Sequence, residues 1–82
     1  MNAGATTELY VTRTCQYCAE LRDELEDAGR AFVEYDVDAD PAARARLLEL
    51  THGSALVPVL VEDGRVVQAG LRGRGCYVGP AP

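Results

Sequence analysis

"ELYVTRTCQYCAELRDELEDAG" runs from Glu8 to Gly29, and its reading decides the fold. Glu8 to Thr12 is a short β-prone run and reads as a first strand. Cys15 through Ala28 contains neither Gly nor Pro. Within it Cys18, Leu21, Leu25 and Ala28 recur at helical spacing, while Glu20, Asp23, Glu24 and Asp27 fill the opposite face. Gly29 follows as a stop. A strand thus feeds directly into an amphipathic helix, and Cys15 and Cys18 lie at the junction.

Working outward, "RAFVEYDV" supplies a second strand through Phe32-Val33 and Tyr35 to Val37. Asp38 or Asp40 can cap a second helix with Pro41 at its first position. Leu47, Leu48 and Leu50 carry its apolar side, and it ends near Thr51-His52, where Gly53 breaks it. "LVPVLVEDGRVVQAG" then places two β-rich runs on either side of Asp63-Gly64, a favoured hairpin turn. Pro58 suits only the first residue of a strand or a special bend. "LRGRGCYVGPAP" is Gly- and Pro-rich, and no helix is assigned to it. The predicted order is β-α-β-α-β-β, an α/β domain with a mixed four-stranded sheet and helices packed on it.

The chain has 82 residues, enough for one domain with a small core. Residues 1–7 are expected to fray, and 72–82 to form an irregular glycine-rich tail. No run of apolar residues reaches membrane-spanning length, and the opening residues lack the basic and apolar regions of a leader, so no membrane partner and a cytoplasmic location are expected. The formal net charge is −5, which disfavours nucleic acid as a partner. Lysine is absent and, His52 aside, the eight basic residues are all arginine, a pattern better read as coding bias than as function.

Three cysteines is an odd count for a chain stapled by disulfides, whereas Cys-x-x-Cys beside a strand–helix pattern points to redox chemistry. Three-residue spacing puts Cys15 and Cys18 on one face of the first helical turn, close enough to bond. Free N–H groups and the helix dipole stabilise an anion at Cys15, so Cys15 is expected to be an exposed thiolate. Cys18, a turn deeper, would resolve the mixed disulfide that Cys15 forms. The plain alternative is two buried, inert cysteines.

Together, "ELYVTRTCQYCAELRDEL", the second β-α unit and "LVPVLVEDGRVV" resemble a glutaredoxin-type redoxin of the thioredoxin superfamily, over about Glu8 to Leu71. The resemblance implies a thioredoxin-like fold whose final helix is missing or rudimentary. It implies a cis Val57–Pro58 bond facing the cysteines, with the Val57 backbone pairing with an extended thiol substrate. It implies a thiol–disulfide oxidoreductase with no bound cofactor, in electron transport and cell redox homeostasis. A disulfide-containing protein or small molecule would be its substrate, and glutathione or a reductase its donor. The chain would be a monomer or weak dimer.

Departures from the family pattern locate the remaining candidates. Gln16 replaces the proline common between the cysteines. Arg13 lies two positions before Cys15, not three, and could contact a substrate carboxylate or simply end a strand. Tyr17 could line the thiol groove. "QAGLRGRG" stands where a glutathione site would have Gly-Gly and acidic residues, and Ala69 to Arg72 instead somewhat resembles redoxins recharged by thioredoxin reductase. Gly70 falls in that stretch and is carried as a substrate-binding candidate. Cys76 could be a third redox thiol, a link between chains, or a small buried residue beside Tyr77 and Val78.

The contrasting function is a metal- or iron–sulfur-carrying module using Cys15 and Cys18, with or without Cys76. A lone Cys-x-x-Cys is half a zinc site, and His52 suits a helix C-terminus better than a ligand set. Asp36, Asp38 and Asp40 mimic the start of a calcium loop. Pro41 and Leu47 stand where its glycine and glutamate belong, so helix capping is the better account.

Overall fold

The computed structural model describes residues 6–79. Eight elements follow one another: β1 (Thr7–Val11), α1 (Gln16–Asp27), β2 (Val33–Asp36), α2 (Pro41–Leu50), β3 (Leu56–Val57), β4 (Val59–Glu62), β5 (Arg65–Ala69) and β6 (Cys76–Tyr77). The main sheet has the order β2-β1-β4-β5, with β1 parallel to β2 and antiparallel to β4. This is the mixed four-stranded sheet expected of the β-α-β-α-β-β order. Residues 1–5 of the stretch expected to fray lie outside the described residues. Thr7 is already in β1, and the Thr6 N–H donates to Asp63 Oδ1 at 2.8 Å.

The core forms where the sequence periodicities converge. Leu9, Tyr10 and Val11 from β1 meet Val59, Leu60 and Val61 from β4, while Cys18, Leu21 and Leu25 from α1 and Ala43 and Leu47 from α2 close over them. Tyr10 stacks on Tyr35 with ring centroids 5.2 Å apart, an offset geometry that aromatic pairs favour. Ala28, which the helical spacing also picks out, is exposed, because α1 has ended at Asp27.

The ends of the elements follow local chemistry. Asp40 caps α2: its Oδ1 accepts from the N–H groups of Ala42 at 3.0 Å and Ala43 at 3.2 Å, and Pro41 occupies the first turn, where a missing N–H costs nothing. Asp63 and Gly64 both have positive φ, 52° and 81°, which the tight turn between β4 and β5 requires.

Two departures concern the run through Pro58 and the tail. The Val57–Pro58 bond is cis, as the resemblance implies, and it divides the first β-rich run into β3 and β4. Only β4 joins the main sheet; β3 pairs antiparallel with β6 in a separate two-stranded sheet, Leu56 opposite Tyr77 and Val57 opposite Cys76. The segment expected to be wholly irregular therefore contains a strand. No helix follows α2 among the described residues.

A covered cysteine at the tip of helix α1

Cys15 occupies the N-cap of α1 with extended backbone (φ −100°, ψ 117°). No side chain caps this end, and the positive end of a helix left without a side-chain cap favours an anion beside it. The sequence reading has Cys15 exposed; in the structure only 3% of it is. The reason is the tail. Cys15 is disulfide-bonded to Cys76, with Cα atoms 6.0 Å apart, and β6 lies along β3 next to the cis Pro58. The helix tip, the proline corner and the tail strand therefore meet at one sulfur pair.

Cys18 is the free thiol, fully buried. Burial pushes its pKa above the ordinary 9.0, against the opposing pull of a hydrogen bond from the Thr12 backbone and the positive Arg22. It is thus held protonated near neutral pH, as the reading of Cys18 as the deeper, less reactive thiol requires. Thr12 is itself buried, and its hydroxyl donates to Asp38 Oδ2, which ties the end of β1 to the loop before α2.

The other candidates fall into two groups. Gln16, Tyr17, Val57, Pro58 and Gly70 gather around the tail. Gln16 and Tyr17 line a shallow groove with Leu71, Arg72 and Arg74, and Tyr17 also borders a second one with Leu56, Gly75 and Tyr77. The Gly70 N–H donates to the Pro58 carbonyl at 2.7 Å. A Cβ on Gly70 would stand 2.7 Å from the Arg74 carbonyl oxygen, so glycine is needed where the tail turns back. Arg13 lies apart: it is exposed and lines a depression with Thr14, Asp36 and Asp38.

The sequence reading missed that the tail docks. Leu71 is buried; Leu71 and Arg74 exchange backbone hydrogen bonds of 2.6 and 2.9 Å; Arg72 pairs with Glu24 on α1 at 2.6 Å; and the Val78 N–H donates to the Ala55 carbonyl at 2.9 Å. A faint signal was present: Cys76, Tyr77 and Val78 are three β-compatible residues in a row between glycines.

Among the described residues, no group of three or more His, Cys, Asp and Glu side chains is placed to hold a metal ion. The Cys15 sulfur is already bonded to Cys76, so the ligand set of the carrier alternative is not assembled. No helix among the described residues is long and apolar enough to cross a membrane.

Comparison with known proteins agrees with this geometry. The glutaredoxin family model matches residues 7–67. A curated relative, a "probable glutaredoxin" (slr1562) of Synechocystis sp., is 33% identical over 60 residues, which are 72% of this chain and 55% of the relative. The chain thus spans about half the length of that relative. A crystal structure of a mutant of the thioredoxin-like protein BC3987 superposes with a TM-score of 0.70 at 36% identity, covering 78% of this chain and 81% of the other. With its thioredoxin-like fold, its helix-tip cysteine and its cis-proline corner, this chain belongs to the glutaredoxin family.

Proposed function

We propose that the protein is a thiol–disulfide oxidoreductase in which Cys15 is the attacking thiol and Cys18 the resolving one. The observation that carries this reading is the position of Cys15: at an uncapped helix N-terminus, beside the cis Val57–Pro58 corner, with its sulfur already joined to a second sulfur. In the reduced chain the same helix end favours the thiolate at Cys15. That thiolate attacks one sulfur of a substrate disulfide; a bond forms to Cys15, the substrate's sulfur–sulfur bond breaks, and one substrate thiolate leaves. Cys18 then loses its proton and attacks the Cys15 sulfur. The second substrate thiolate leaves, and an intramolecular disulfide remains for an external thiol to reduce with two electrons.

Arg13, Gln16, Tyr17, Val57, Pro58 and Gly70 are the proposed substrate contacts. Glutathione and a thioredoxin-type reductase are the two candidate donors, and a reducing, cytoplasmic setting suits a centre that must be re-reduced after each turnover. The chemistry requires no bound cofactor. Replacing Cys15 (Cys15→Ser) should abolish reduction of a small symmetrical disulfide such as hydroxyethyl disulfide, with dithiothreitol as donor. Full activity in that variant would overturn the assignment. Supplying glutathione with its reductase, or thioredoxin reductase, in place of dithiothreitol identifies the donor.

A further inference from the structure

The tail occupies the place that the proposed mechanism reserves for a substrate. β6 runs antiparallel to β3, Cys76 lies opposite Val57, and the Cys76 sulfur is bonded to Cys15. The strand-addition edge and the attacking sulfur are thus filled by one segment, in one register. We propose that Leu71 to Val78 is a tethered mimic of the chain's own substrate. The groove would then take an extended cysteine-bearing peptide, antiparallel to Leu56-Val57, with glycine immediately before its cysteine. This rests on the reading of Cys15 as the attacking thiol.

The glycine requirement comes from Gly75. A Cβ there would stand 2.5 Å from the Val57 carbonyl oxygen and 2.8 Å from Leu56 Cδ1. The leucine side chain could turn aside. The carbonyl belongs to the backbone that enters the buried Pro58, so it cannot yield without disturbing the core. The position after the cysteine is read differently: Tyr77 is 77% exposed, and a peptide could carry almost any residue there. The tail's remaining attachments, the Arg72–Glu24 pair and the buried Leu71, lie before the paired residues and serve as its tether. A free peptide lacks them and must compete with a segment held at high local concentration.

The covered state needs no additional oxidant. Starting from a Cys15–Cys18 disulfide left by a turnover, the Cys76 thiolate attacks the Cys15 sulfur. The Cys15–Cys76 bond forms, the Cys15–Cys18 bond breaks, and Cys18 leaves as a thiolate that takes up a proton. The number of disulfides is unchanged. The reverse exchange frees the tail and reopens the edge.

The test uses two synthetic peptides, Arg-Gly-Cys-Tyr-Val, matching residues 74–78, and the same peptide with alanine for glycine. Each is joined through its cysteine to thionitrobenzoate. The reduced full chain and its Cys76→Ser variant are mixed with each peptide, and the release of coloured thionitrobenzoate is followed. The glycine peptide should react at least about tenfold faster than the alanine peptide, the factor expected when a methyl group is forced against backbone. The advantage should be largest in Cys76→Ser, where the tail has no thiol of its own to react with the peptides. Oxidised wild-type chain, alkylated and cleaved, should yield the fragment linking Cys15 to Cys76. Equal rates for the two peptides, or oxidised chain linked only between Cys15 and Cys18, would overturn the inference. Reactivity with hydroxyethyl disulfide separates the two readings. If it is absent, the oxidoreductase itself falls; if it is present while the peptides react equally, only the mimic falls.

Discussion

Breaking the bond between Cys15 and Cys76 should cost the fold a large part of its stability. The bond spans 61 positions of sequence. Closing a loop of that length removes about 14 cal/mol/K of entropy from the unfolded chain, about 4 kcal/mol at 25 °C. Small domains are stable by about 5–15 kcal/mol in total, so reduction should leave the protein folded but much weaker. With an unfolding slope of about 1–3 kcal/mol/M in urea, the midpoint should fall by about 2 M. The thermal midpoint should fall by roughly 20 °C, at about 4–8 °C per kcal/mol for a chain of this size. The assay is urea unfolding followed by far-ultraviolet circular dichroism, since the chain has no tryptophan. It is run on oxidised protein, on protein kept in dithiothreitol, and on Cys76→Ser in both conditions. In dithiothreitol the variant should match the reduced wild type, and without it the variant should gain far less than the wild type does, because only the short Cys15–Cys18 loop is left to close. If the wild type, with its link confirmed by mass, shows one midpoint in both conditions, the loop-entropy reasoning is refuted.

Two further outcomes test the capping and burial arguments. Asp40→Ala removes the acceptor shared by the N–H groups of Ala42 and Ala43 and should lower stability by about 1 kcal/mol; an unchanged urea midpoint would show that the cap contributes nothing. Cys18, its pKa raised by burial above the ordinary 9.0, contributes stability that is full below the unfolded thiol's value and lost as pH rises through the folded one. Reduced wild type should therefore weaken relative to Cys18→Ala as the pH rises above the ordinary thiol value of 9.0, and parallel curves for the two proteins would contradict it.

The elements that carry strong local signals were legible. The helical repeat of Cys18, Leu21 and Leu25, the Asp40-Pro41 start of α2 and the Asp63-Gly64 turn each encode their conformation within a few residues, and the structure follows them. The partner of Cys15 was not legible, for two reasons. Spacing arguments treat Cys15 as a helical residue that shares a face with Cys18. It is instead the extended residue before the helix, free to bond towards β3. The actual partner arrives on a two-residue strand, too short to show any alternation, and it is placed by contacts with residues far away in sequence. The burial of Cys15 follows from that docking, so it was hidden for the same reason.

The link between Cys15 and Cys76 also divides the molecule mechanically. Six of the eight elements, α1 through β5, lie inside the covalent ring; β6 begins at the cysteine that closes it, and β1 lies outside it. Yet β1 is an interior strand of the main sheet, flanked by β2 and β4. Pulled from its two ends, the oxidised chain can lengthen only by peeling this strand out of a closed hoop. At about 3.6 Å per residue, the segments outside the hoop extend to about 70 Å, against about 300 Å for the reduced chain. Oxidation thus sets how far the protein can be stretched, and the strand at the centre of the sheet is the one it leaves unfastened.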